Sequence, residues 1–251
     1  MKLIVIVFLF TISLAAELSK AEKDNLMKTT EWLAAFDIKY SKAWTPPDSN
    51  KPVKLDCSGT VQYLYSKALS KTMPRDSYSQ YNFFKEKGWM FEPPRTADNK
   101  VNTEELKKQL QFGDLLYWEN SYNVPSDRDP GVSHVMIYMG MDTTGVMRAA
   151  GSNTWGDGMI TKGGGPDIYI FDPNQKLGCV REIEGDKKSK CLKESAFIGY
   201  ARFDADKKQI IEIKPDDKED FDPKEDFDPD NVSPKEDSPG SIKLEEGFDL
   251  E

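Results

Sequence analysis

The chain has 251 residues, of which 38% are hydrophobic and 31% charged, which is enough apolar material for one substantial core and excludes a wholly disordered or collagen-like chain. The formal net charge is −9, yet residues 215–251 alone hold 15 acidic residues against 4 lysines, leaving 28 acidic and 30 basic residues elsewhere. The acidity belongs to one end, and with no basic run in the rest no nucleic-acid partner is expected.

Met1 and Lys2 precede an apolar run from Leu3 to Phe10 that continues weakly to Ala16, with small residues at Ser13, Ala15 and Ala16. This pattern reads as a secretory signal peptide over residues 1–16. The run is too short and too soon interrupted for a membrane span, although an uncleaved N-terminal anchor is the alternative. No later apolar run approaches that length. The processed chain is therefore expected to be exported, periplasmic or secreted, with no integral membrane segment. Nothing in the sequence fixes its oligomeric state.

Residues 17–214 suit a single domain. Leu26, Leu33 and Phe36 share a helical face within a segment from Lys20 to Phe36, and Pro46, Pro47, Asn50 and Pro52 mark a loop. A second helix is predicted from Asp56 or Cys57, because Val61, Leu64, Tyr65, Ala68 and Leu69 follow a 3.6-residue period and Asp56 suits its cap. Leu115 to Trp118 and Val135 to Met141 read as buried strands. The second of these, begun at His134, would put His134, Met136 and Tyr138 on one face and Val135, Ile137 and Met139 on the other. Further strands are predicted at Val146 to Ala150 and Ala196 to Phe203. Helices come first and strands follow, which argues for an α+β fold.

The tail repeats Glu-Asp-Phe-Asp-Pro at 219–223 and 225–229. Such a segment buries too little apolar surface to offset chain entropy, so residues 215–251 are expected to be disordered. Asp226, Asp228, Asp230 and Asp237 fall at calcium-loop spacings, but Pro229 and Pro234 intrude and Asn231 stands where such a loop needs glycine. No metal site is expected there.

Three cysteines are present, Cys57, Cys179 and Cys191. In an oxidising compartment an odd count leaves one thiol over. Cys179 and Cys191 flank a polar stretch with Gly185, Asp186, Lys187 and Lys188 that reads as a turn, so they are the expected disulfide pair and Cys57 the free thiol. Cys57 starts a predicted helix, where unpaired backbone N–H groups and the helix dipole favour a thiolate. His134 is the single histidine, so a histidine base could only be that residue, and an imidazolium nearby would activate the thiol further. One histidine and one free cysteine do not make a typical zinc site, and no cofactor is called for.

Four blocks occur in order: Asp56-Cys57-Ser58-Gly59 running into Thr60 to Tyr65, Met73 to Gln80, Leu110 to Trp118, and Ser133 to Gly140. Together they resemble the NlpC-type cell-wall cysteine peptidases, bacterial enzymes with a reduced papain-like fold, over Tyr40 to Phe203. The resemblance implies that Cys57 is the nucleophile and His134 the general base. It also implies that Asp56, Ser58 and Tyr40 line the substrate site, and that the substrate is a peptide, typically the peptide stem of peptidoglycan. The family orients its histidine with a polar residue on the strand after the base, a position that falls here on Arg148 or Ala149. Arginine has no acceptor, so Ser152, Asn153, Asp157 or a backbone carbonyl would have to substitute, with Asn153 and Asp157 the named candidates. Two polar segments, Glu119 to Val132 and Gly163 to Glu194, are read as insertions beside the site that bear on specificity. The expected activity is thus amide hydrolysis through a thiol and an acyl-enzyme. The rivals are a secreted amidase or acyltransferase acting on a competitor or host, and a non-catalytic wall-binding module.

Overall fold

The computed structural model describes residues 17–203 apart from Asn50 and Trp155. The predicted signal peptide at 1–16 and acidic tail at 215–251 lie outside the described residues.

The first helix, α1 (Lys20–Ala34), opens with a reciprocal cap: Glu22 N–H donates to the Ser19 hydroxyl and the Ser19 N–H donates to the Glu22 carboxylate. It buries Leu26 and Leu33 as the period predicts and stops two residues before Phe36. In α2 (Cys57–Leu69) Asp56 is the cap, its Oδ1 accepting from Gly59 N–H at 2.8 Å. Two helices were not anticipated. The Asp76 carboxylate starts α3 (Ser77–Glu86) by accepting from Tyr78 and Ser79 N–H, and Asn102 starts α4 (Thr103–Gln109).

The strands are β1 (Met90–Phe91), β2 (Leu115–Glu119), β3 (Val132–Met141), β4 (Met147–Asn153), β5 (Gly165–Ile170), β6 (Cys179–Arg181), β7 (Cys191–Glu194) and β8 (Ala196–Ala201). Six of them form an antiparallel sheet in the order β1-β8-β2-β3-β4-β5, and β6 and β7 form a separate hairpin. The segment read as an insertion from Gly163 therefore contributes β5, a working strand of the main sheet, before it leaves to make the hairpin.

Both faces of this sheet are covered, with a hydrophobic cluster on each. Val135, Ile137 and Met139 of β3 join Leu26, Leu33, Val61, Leu64 and Phe84 from α1, α2 and α3. Met136 and Tyr138 join Leu106 of α4, Trp118, Phe171 and Phe197. The alternation read from the sequence holds, and the α+β expectation with it. Beyond β8, Arg202 grips the Asp114 carboxylate through Nε and Nη2, each at 2.7 Å, while Gln111 N–H donates to the same group. Asp114 is only 1% exposed, so this ion pair fixes the entry of β2 beside the exit of β8.

Candidate active site

Cys57 is the first residue of α2, where its own N–H and those following have no partner within the helix. The residue is 4% exposed and sits in the core layer with Val135 and Ile137. Three donors converge on its sulfur: the backbone N–H groups of Val135 and Ser58 and the hydroxyl of Tyr40. Tyr40 reaches it because a parallel bridge pairs it with Leu55, two residues before the thiol. These donors favour the thiolate, but burial and the adjacent Asp56 carboxylate outweigh them and push the thiol up to about 11. At rest the sulfur is protonated, which differs from the thiolate expected from the helix terminus alone.

His134 lies one residue before Val135, so the sulfur meets β3 one position from the histidine. The ring packs on Trp118, its cross-strand neighbour, with centroids 5.6 Å apart. It is 7% exposed, and burial pushes it down to about 4. The imidazole is therefore neutral at physiological pH.

Asp56 and Ser58 flank the thiol, and one residue ties them together. Arg75 donates from Nη2 to Asp56 Oδ2 at 2.7 Å and from Nη1 to Ser58 Oγ at 3.0 Å. Its guanidinium lies 5.0 Å from the centre of the Trp44 ring. That ring in turn covers Gly59, where a Cβ would stand 2.3 Å from a Trp44 ring carbon, so only glycine fits. Arg75 stands inside one of the sequence blocks, but no spacing rule ties it to a residue 19 positions away, and sequence reasoning missed it. Trp44 was missed for the same reason.

Among the described residues no hydrogen bond joins Asn153, Asp157, Arg148 or Ser152 to the imidazole. His134 Nε2 is buried and has no hydrogen-bond partner among the described residues. Asn153 spends its Oδ1 on Thr154 N–H, and exposed Asp157 accepts from Gly163 N–H. Arg148 is bound by Asp142 across the β3–β4 turn, with Nε and Nη2 at 2.9 and 2.6 Å from Oδ2, and Ala149 pairs with Tyr138 rather than lying opposite His134. Ser152 is buried with its hydroxyl unpartnered. Cys179 and Cys191, expected as a disulfide, are free thiols on facing strands of the hairpin, hydrogen-bonded to each other. A register shift between Val180 and Arg181 sets them on a diagonal, Arg181 being the residue opposite Cys191. Among the described residues no group of three or more histidine, cysteine, aspartate or glutamate side chains could hold a metal ion, and no helix is long and apolar enough to cross a membrane.

Residues 44–157 match the NlpC/P60 family. The NlpC/P60 match takes in Asp56, Cys57, Ser58 and His134, and leaves Tyr40 just outside. It bears out the family resemblance and, with the helices and antiparallel sheet described above, the papain-like class of fold. NlpC/P60 proteins are typically cysteine peptidases of the cell wall. No curated protein is significantly similar to this chain. Among solved structures, a protein of Staphylococcus aureus subsp. aureus Mu50 described as similar to lipoprotein, NLP/P60 family, is 19% identical, with a TM-score of 0.37. The alignment covers 64% of this chain and 39% of that one.

Proposed function

We propose that the chain is an exported cysteine hydrolase that cleaves amide bonds in peptidoglycan peptide stems, with Cys57 as nucleophile and His134 as general base. The observation that carries this reading is the Cys57 sulfur at the start of α2, met by three hydrogen-bond donors, one of them the N–H of Val135, the residue that follows the single histidine. With the thiol pushed up to about 11 and the imidazole down to about 4, the resting pair is neutral. The proton therefore leaves sulfur as the C–S bond forms, and His134 accepts it. The carbonyl oxygen gains the negative charge, which the positive end of the α2 dipole favours. The imidazolium then gives the proton to the departing amine, leaving a thioester that water hydrolyses to release the acid and restore the thiol. Asp56 and Ser58, held by Arg75, and Tyr40 border the acyl group.

Digestion of purified peptidoglycan, with fragments identified by mass, tests both activity and bond. New stem-peptide fragments are expected from the wild type. Cys57→Ala and His134→Ala should each abolish them while keeping the fold, because nucleophile and base act as one unit. Full activity in Cys57→Ala would end this reading.

The unpartnered His134 Nε2 and the buried, protonated thiol favour one second reading, a wall-binding module without turnover. It predicts retention on peptidoglycan without fragments, and the same retention in Cys57→Ala.

A further inference from the structure

Asp56 has two effects that pull against each other. Its Oδ1 caps α2 by accepting from Gly59 N–H at 2.8 Å, and a carboxylate at a helix start suits the dipole. It is also the residue before Cys57, where a negative charge opposes ionisation of the thiol. Arg75 meets its other oxygen: Nη2 donates to Asp56 Oδ2 at 2.7 Å, while Nη1 donates at 3.0 Å to the Oγ of Ser58, the residue after Cys57. Two glutamines pin the segment that carries Arg75. Gln62 of α2 donates from Nε2 to Met73 O at 2.9 Å. Gln80 of α3, fully buried, donates from Nε2 to Pro74 O at 2.9 Å and to Ser58 O at 3.1 Å. With the Trp44 ring 5.0 Å from the guanidinium, Arg75 is fixed where it stands. Titratable groups on the neighbouring elements bring no charge to the sulfur at neutral pH. The phenols of Tyr40 before α2 and Tyr122 on the β2–β3 loop are raised by burial, and the buried His134 of β3 is neutral. Asp76, next to Arg75, accepts from Tyr78 and Ser79 N–H and lies 3.8 Å from Arg128. Among the described residues Asp56 is thus the one charged group that acts on the thiol, and Arg75 is its partner.

We propose that Arg75 is a positioning residue of this site, the counter-ion that lets Asp56 start α2 without suppressing the neighbouring thiol, which rests on the hydrolase reading only for the use made of the sulfur. Without Arg75 the uncompensated carboxylate stands beside a sulfur that burial already keeps protonated, and less thiolate forms at any given pH. Arg75 acts through the carboxylate, since its own hydrogen bonds go to Asp56 and Ser58 while those on the sulfur come from Val135, Ser58 and Tyr40. Asparagine caps a helix about as well as aspartate does. Asp56→Asn therefore keeps the cap and removes the charge, which separates the two effects of Asp56.

The test uses the full chain and follows alkylation of Cys57 by iodoacetamide between pH 7 and 9, with the modified site located by peptide mass. Removing one counter-charge from a part-exposed pair lowers the thiolate fraction about tenfold, of which the greater nucleophilicity of a less acidic thiol returns about threefold. Arg75→Ala should therefore react about three- to tenfold more slowly across this range. Arg75→Lys, which keeps the charge, should retain most of the wild-type rate. Asp56→Asn should react faster than the wild type, and Asp56→Asn added to Arg75→Ala should restore at least the wild-type rate. Circular dichroism and the melting temperature check that each variant is folded; if Arg75→Ala is not, Asp56→Asn against the wild type decides. A merely structural Arg75 predicts a double variant as slow as Arg75→Ala or slower. That result, an unchanged rate in folded Arg75→Ala, or Asp56→Asn no faster than the wild type overturns the counter-ion. In hydrolysis, Arg75→Ala should lower kcat more than it raises KM. No turnover by the wild type on any peptide, with the alkylation pattern as expected, would refute the hydrolase reading and leave the counter-ion standing.

Discussion

Replacing His134 with glutamine separates two arrangements of the thiol and the imidazole by the sign of a stability change. In the structure the imidazole is buried, neutral and pushed from its ordinary 6.5 to about 4. Between those values the unfolded chain binds a proton that the folded chain does not, so His134 contributes stability that is complete above pH 6.5 and lost as pH falls through that window. At about 1.4 kcal/mol per unit, the effect is on the order of 3 kcal/mol. A thiolate–imidazolium ion pair would do the reverse. It would raise the folded value of His134, with stability present at low pH and lost as pH rises. Urea unfolding followed by tryptophan fluorescence at pH 7.5, 6, 5 and 4 measures both chains, and the difference between them removes the carboxylates they share. The wild type should lose about 3 kcal/mol more than His134→Gln between the ends of that range. Parallel curves, or a wild type that gains relative to the variant on acidification, would refute the neutral buried imidazole.

Asp114→Ala should destabilise the fold by about 3–5 kcal/mol in the same assay, because it leaves the Arg202 guanidinium without its buried partner. Arg148→Ala should leave turnover on peptidoglycan fragments unchanged, since Arg148 serves Asp142 at the far end of β4; loss of turnover equal to that of His134→Ala would show that its role lies elsewhere. Under oxidising conditions the facing Cys179 and Cys191 thiols, free in the structure, should close into a disulfide that contributes about 2–3 kcal/mol to unfolding stability while Cys57 stays free, as non-reducing peptide mapping would find; Cys57 in a disulfide would contradict both the pairing and the nucleophile.

What the sequence made legible followed periodicity and caps. The Asp56 cap and the apolar stripe from Val61 to Leu69 define α2, and the short apolar runs of β2, β3 and β8 carry their own signal. The helical face of Leu26 and Leu33 in α1 and the run that becomes β4 were legible in the same way, whereas α3, α4 and β5 owe their form to tertiary contacts. Three of the ten α3 residues are buried, so α3 shows little stripe, and α4 buries Leu106 alone. The run that becomes β5 begins with Gly165 and Pro166, residues that read as loop, yet pairing with β4 buries its first five positions. In the site, Arg75 and Trp44 depend on encounters between segments that no local pattern encodes.

The strand that carries His134 shows why the chemistry was legible in part. A period of two divides β3 correctly into two sets, but both faces of the sheet are buried, so no polar face reveals which side meets α2. The structure places Cys57 in the layer of Val135 and Ile137, while Trp118, from the layer of Met136 and Tyr138, packs on His134. The sulfur thus meets β3 through the Val135 N–H, a backbone donor that any residue there would supply. The imidazole, one position earlier, keeps Nε2 buried and unpaired. Its proton affinity is therefore set by desolvation, with no charged neighbour needed to explain it. The same burial that makes His134 costly to protonate at low pH keeps the imidazole unprotonated at neutral pH, the form the proposed base would need, while weakening it as a proton acceptor, so the acid sensitivity of the fold and the strength of the proposed base share one physical cause.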